Sequence, residues 1–191
     1  MGGASDFERR GWAVLPFRLS AAQCDALASF IPDIGAGVRL DPGSLPLPAS
    51  LSAHMRGLGY LSQPLRAVGF HKGGARNWSL PWHQDRDHAT LDARRVSPSL
   101  DTLQRSAFLH IALDDSGPGR GGLEIAEGSH HHGRVPARAI PACLDHSVVR
   151  TPDAPRGTVL ALKALSLHRS GPAAMGRRRR ALRLDYAAGP P

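Results

Sequence analysis

The chain has 191 residues, 41% of them hydrophobic and 21% charged, and a net charge of +8; a domain of that length buries about 70% of the surface its unfolded chain exposes. No apolar run approaches the ~20 residues of a membrane span, and the first residues lack the charged-then-apolar pattern of a secretion signal, so no membrane partner and a cytoplasmic location are expected. Two cysteines, Cys24 and Cys143, make neither a metal-ligand spacing nor a disulfide framework, and aromatic residues, at 5%, are too few to interleave with the positive charge as in a nucleic-acid surface.

In chain order, Ser20 and Gln23 form a capping box, and Cys24, Leu27, Ala28 and Ile31 recur at helical spacing until Pro32 ends the run. Glycine and proline crowd residues 34–48, which predicts an irregular connection, and a weaker helical pattern follows over Leu51 to Leu61. Short apolar segments divided by Gly, Pro and Asp then predict strands over Arg66 to His71, Ser106 to Leu113, Leu123 to Glu127, Ser147 to Thr151, Thr158 to Leu162 and Ala181 to Tyr186. Between the first two, the polar segment Asp87 to Leu103 is either a lid or a surface loop. Many short strands in one domain, residues 1–191 with a core over about 64–186, predict a mainly β jelly roll with flanking helices.

Two histidines and a carboxylate stand out against this background. His83 and Asp85, in Trp82-His83-Gln84-Asp85, are spaced i and i+2, and a strand would turn both toward one metal ion with Gln84 pointing away. His168 follows 85 positions later, so a distant strand has to bring it alongside. Two histidines and one carboxylate on one octahedral face leave coordination positions open, as oxygen-activating iron(II) requires.

The text around these residues extends the pattern. Asn77 to Asp85, the run Gly121-Gly122-Leu123-Glu124-Ile125-Ala126-Glu127-Gly128-Ser129-His130, then His168-Arg169-Ser170-Gly171-Pro172 and Arg179-Arg180-Ala181-Leu182 follow one another as in the phytanoyl-CoA dioxygenase family, which the chain resembles over about residues 68–186. That resemblance implies a double-stranded β-helix of cupin type. It also implies iron(II) on His83, Asp85 and His168, O2 as oxidant, and 2-oxoglutarate as cosubstrate, with Ser170 and Arg179 at its distal carboxylate. A guanidinium suits that role because it forms a planar two-pronged bond and stays charged. Four successive arginines leave the register open among Arg178, Arg179 and Arg180. The expected reaction is hydroxylation of an unactivated C–H bond in a small molecule, with release of succinate and CO2. The positive charge would suit an anionic substrate such as an acyl thioester, a phosphate ester or a carboxylate. Trp78 and Trp82 flank the metal run and either wall the substrate cavity or pack in the core.

Three departures from the family pattern concern loops: Arg120 and Glu127 stand where Asn and Pro are common, and Ala173 follows Ser-Gly-Pro. Two other readings remain. Arg177 and Arg183, six apart, resemble the arginine pair of AlkB-like nucleic-acid demethylases, and a cupin-type or non-catalytic metal-binding protein would not need Arg179. His130 is read as part of the Gly-Ser-His turn and His131 and His132 as facing solvent, rather than as a second metal site; His71 and His88 carry no assigned role, and His110 is expected to point into the barrel, either lining the pocket or hydrogen-bonded in the core.

Overall fold

The computed structural model describes residues 2–33, 37–85, 88–89, 95–96 and 98–189. In chain order the elements are α1 (Gly2–Arg10), β1 (Trp12–Arg18), α2 (Ala21–Ala28), β2 (Val38–Leu40), α3 (Ala49–Gly57), β3 (Arg66–Lys72), β4 (Leu80–His83), β5 (His88–Ala89) and β6 (Arg95–Val96). They continue with α4 (Leu100–Gln104), β7 (Ala107–Ala112), β8 (Leu123–Ala126), α5 (Ile140–Asp145), β9 (Val149–Arg150), β10 (Thr158–Lys163), β11 (His168–Ser170) and β12 (Arg179–Tyr186).

Two antiparallel sheets carry the fold. The larger runs β1-β10-β7-β12-β3-β2 and the smaller β4-β11-β8-β9, so from β3 onward the chain passes repeatedly from one sheet to the other. This is the jelly roll anticipated from the strand pattern. Strands β7, β10 and β12 are central in the larger sheet and covered on both faces; β7 and β10 read as near-continuous apolar runs, whereas β12 carries Arg179, Arg183 and Asp185 on the face away from Leu182 and Leu184. On one face the helices pack: Cys24 and Leu27 of α2 and Leu51 and Met55 of α3 are fully buried in a cluster with Leu109, Ile111, Leu182 and Leu184. On the other face Trp12, Phe108 and Leu160 meet Leu123 and Ile125 of the smaller sheet.

The capping box forms as expected, Ser20 Oγ accepting from the Gln23 amide and the Gln23 side chain accepting from the Ser20 amide. The predicted second helix is found as α3, slightly earlier than expected; the chain leaves it at Leu58 and Gly59, the latter at φ +83°. Strand β1 was not anticipated, because Pro16 interrupts its pattern. It lies at the edge of the larger sheet, where a missing amide donor is tolerated, and its register against β10 shifts between Val14 and Arg18. The expected strand over Ser147 to Thr151 shrinks to Val149–Arg150, and the last strand begins at Arg179 rather than Ala181. Of the segment Asp87 to Leu103, residues 87, 90–94 and 97 lie outside the described residues; β5 and β6 pair within it, and its end forms α4, capped by Ser99 Oγ on the Thr102 amide. No helix among the described residues is long and apolar enough to cross a membrane.

Candidate metal centre

Strand β11 lies between β4 and β8 in the smaller sheet, and His168 is in register with both His83 and Ile125. The pairing across 85 residues therefore sets the two imidazoles side by side, their ring centroids 4.2 Å apart. Asp85 completes the group. One ligand atom from each of His83, Asp85 and His168 lies within 4.8 Å of the others, and the three could hold a metal ion.

One detail departs from the sequence reading. Strand β4 ends at His83, so Asp85 is not held by strand pairing; its amide instead donates to the Ala164 carbonyl at 3.0 Å. Gln84 does point away. Its amide donates to the Gly133 and Leu165 carbonyls, 2.7 Å each, and its oxygen accepts from the Val135 amide, which fixes the backbone between the two ligands.

Each ligand is oriented by a second contact. His83 Nδ1 lies 2.8 Å from the Pro81 carbonyl and His168 Nδ1 2.9 Å from the Ser166 carbonyl. Both rings therefore carry Nδ1–H and keep the Nε2 lone pair for an ion. Asp85 Oδ1 accepts from Arg183 Nη1 at 2.5 Å, while its buried Oδ2 has no partner among the described residues. An orphaned buried carboxylate oxygen is costly unless something charged completes it. Burial raises the Asp85 pKa, but Arg183 and the two histidines outweigh it and bring it to about 2. Burial brings His168 down to about 4. Asp85 is thus a carboxylate and His168 a neutral imidazole at neutral pH, the state in which such groups bind a cation.

Behind His168 a small inner cavity of about 30 Å³ opens between the sheets, lined among others by Lys72, Trp78, His110, Ser170, Arg179 and Arg183. The structure separates the four arginines. Arg177 is exposed ahead of β12 and, with Arg178, lines an outer depression beside Asp114 and Asp115. Arg180 turns outward onto Asp114, which it grips through Nε and Nη2. Arg179, 2% exposed, points into the inner cavity and donates to His110 Nε2 at 3.1 Å. Arg183, buried four residues on, holds Asp85 and Asp185, so Arg177 and Arg183 do not form a pair on one surface.

Lys72 is the residue the sequence reading passed over. It faces Arg179 directly across the β3–β12 pairing and is 1% exposed. Its ammonium donates to Ser170 Oγ and the Gly171 carbonyl, 2.8 Å each, and lies 4.2 Å from the Trp78 ring centroid. Burial, then Arg179, lowers its pKa to about 7; burial lowers Arg179 to about 10 and holds His110 well below the usual histidine value. Among the described residues neither Lys72 nor Arg179 has an ion-pair partner. The only signals for Lys72 were its rarity and its alternation with Phe70 on β3.

Trp78 borders this inner cavity, whereas Trp82 lines a separate outer basin that His83 and Asp85 also border. The candidate ion would sit between the two spaces. His130 and His131 are turned onto the Glu8 and Arg9 carbonyls of α1, and no second group of metal-ligating side chains gathers among the described residues. Both cysteines are free.

No protein-family model matches the chain, and no curated protein matches it. Solved structures do. A crystal structure of AviO1 from Streptomyces viridochromogenes Tue57 is 24% identical, aligns over 98% of this chain and 96% of its own, and has a TM-score of 0.68. The non-heme alpha ketoglutarate dependent epimerase SnoN from nogalamycin biosynthesis superposes with a TM-score of 0.73 at 14% identity, over 97% and 79% of the two chains. EctD from S. alaskensis, solved with 2-oxoglutarate and 5-hydroxyectoine, gives 0.71 at 19% identity, over 97% and 74%. At these identities the likeness is one of fold.

Proposed function

We propose that this chain is an iron(II)- and 2-oxoglutarate-dependent oxygenase of the phytanoyl-CoA dioxygenase type that hydroxylates an unactivated C–H bond of a small molecule. The observation that carries the reading is a three-ligand cation site with an orphaned carboxylate oxygen, opening onto an inner cavity whose lining includes two buried cations, Lys72 and Arg179, without an ion-pair partner among the described residues, and no acid. Structural neighbours whose names include alpha ketoglutarate dependence, and one solved with 2-oxoglutarate, support it.

Iron(II) bound with 2-oxoglutarate and O2 supplies the oxidation itself, giving hydroxylated product, succinate and CO2. The chain's own residues do the positioning. His83, Asp85 and His168 hold the ion on one face, with the imidazoles fixed by the Pro81 and Ser166 carbonyls and the carboxylate by Arg183. Arg179 receives the distal carboxylate, His110 orients it by accepting one of its protons, and Ser170 adds a hydroxyl donor. Lys72 adds a second positive charge beside Arg179, and the burial that strains both cations makes an anion between them strongly favourable. The inner cavity has room for about one water. To admit the distal carboxylate, the Lys72 ammonium would have to leave the Gly171 carbonyl that it now meets. The substrate takes the outer basin on the other side of the ion.

The test is the anaerobic visible spectrum of the protein titrated with iron(II) and 2-oxoglutarate. A charge-transfer band that needs both ligands and weakens in Arg179→Ala is expected. Iron binding without such a band would overturn the reading in favour of a metalloprotein that does not use 2-oxoglutarate.

A further inference from the structure

The outer basin has a volume of about 410 Å³ and is lined by Arg66, Trp82, His83, Gln84, Asp85, Ala137 and Ile140, a size that suits a compact organic molecule. Most polar groups on its wall are already committed. All three hydrogen-bonding positions used by Gln84 are on backbone; His83 Nδ1 is on Pro81, Asp85 Oδ1 is on Arg183, and Asp85 Oδ2 belongs to the ion site.

Arg66 differs. Its Nε donates to Asp185 Oδ2, across the β3–β12 register, and its terminal NH2 groups meet no acceptor among the described residues. Asp185 cannot neutralise it alone, because its other oxygen accepts from Arg183 Nε at 2.6 Å. Asp85, Arg183, Asp185 and Arg66 thus form a line of alternating charge from the ion site to the basin wall. The line ends on a cation, 19% exposed, anchored at Nε. A guanidinium held at Nε and free at its outer edge presents two parallel N–H donors, the geometry that a carboxylate or phosphate fits. Trp82, Ala137 and Ile140 on the same wall offer an aromatic face and apolar surface.

We propose that Arg66 is the specificity-determining residue of this basin and that the substrate is an organic anion, its carboxylate or phosphate on Arg66 and its apolar or ring portion against Trp82 and Ile140. The assignment rests on the oxygenase reading, since it concerns the substrate side of the same centre.

Binding of phenyl phosphate, with benzyl alcohol as the uncharged comparison, tests it by calorimetry on protein loaded with cobalt(II) and 2-oxoglutarate, where no turnover occurs. Arg66→Gln keeps a donor for Asp185 but loses charge and fork; Arg66→Lys keeps the charge. Arg66→Gln should weaken phenyl phosphate at least about tenfold, Arg66→Lys should restore part of the loss, and benzyl alcohol should be indifferent to both. The 2-oxoglutarate affinity should be the same in all three proteins. Equal phenyl phosphate affinity in wild type and Arg66→Gln would overturn the proposal, as would displacement of 2-oxoglutarate by phenyl phosphate, which would put the anion on Arg179. If 2-oxoglutarate does not bind the wild type at all, the oxygenase reading fails separately, and the same comparison on cobalt(II) protein still decides the role of Arg66.

Discussion

Lys72 and Arg179 face each other across two paired strands with no carboxylate between them, and like charges so placed weaken a sheet. Folding moves the Lys72 pKa from 10.5 to about 7. The unfolded chain then binds more protons between those values, so this group's penalty is full below pH 7 and fades as pH rises toward 10.5. Lys72→Met should therefore raise the melting temperature of the ligand-free protein at pH 7 while weakening 2-oxoglutarate, a pair of opposite effects visible in thermal melts and titrations. In the wild type, 2-oxoglutarate affinity should fall as pH climbs above 7, because the dianion is held by the charged ammonium. At the ion site, Arg183→Leu would leave Asp85 free to rotate and Asp185 half unpaired. We expect about 10–100-fold weaker cobalt(II) binding, measured by titration, with Arg183→Lys retaining part of the affinity. The ligands themselves were legible because a two-residue spacing and a distant His-x-Ser carry a chemical pattern. Lys72 and the Asp185–Arg66 contact carry none in the sequence, since each acquires meaning only from strands that pair far along the chain.

At the scale of elements, the strand rule that brought His83 and Asp85 to attention held only in part: β4 stops at His83, and Gln84 does the rest by tying itself to three backbone groups. The loops show what the residues that differ from the pattern of the resembled family do in this chain. Glu127 is gripped by Arg10 and Arg150, linking β8 to the N-terminal helix and to β9. Ala173 has no hydrogen-bonding side chain, yet its amide and carbonyl are both held by the Asn77 side chain, at 2.6 and 2.9 Å, which pins the β11–β12 loop beside the stretch leading into β4. Asn77→Ala should lower the unfolding free energy by about 1–3 kcal/mol and loosen 2-oxoglutarate, because Ser170 and Arg179 lie on either side of that loop. Gly121 is needed for another reason. It sits at φ +69°, and a Cβ there would lie 2.2 Å from the Pro172 carbonyl oxygen. Gly121→Ala should cost at least about 1–3 kcal/mol, measured by denaturant unfolding, since both the backbone and Pro172 would have to move.

For the whole molecule, the jelly roll was legible because central strands such as β7 and β10 are almost wholly apolar and its turns are marked by glycine and proline. The edge strand β1 was hidden by Pro16, and the short β2 and β11 are too brief to show a period of two. The candidate metal ligands join β4 to β11, strands far apart in the chain, so a bound ion should stabilise the entire fold and not one loop. At free cobalt(II) of 100 times its Kd the gain is about 2.7 kcal/mol, or roughly 5–11 °C in melting temperature for a chain of this size. His83→Ala should abolish that shift; an equal shift in the variant would mean that cobalt(II) binds elsewhere.

The register of β11 between β4 and β8 also sets an order of events in time. Asp85 leaves the ribosome with His83, but His168 is made 83 residues later, roughly 4–17 s at about 5–20 residues per second. In that interval the chain has two of its three ligands and no inner strand to bring the third. Metal capture is therefore a late step that reports closure of the smaller sheet: a nascent chain can begin to collapse without its ion, and it can hold the ion in the three-ligand site only after β11 has slid into place.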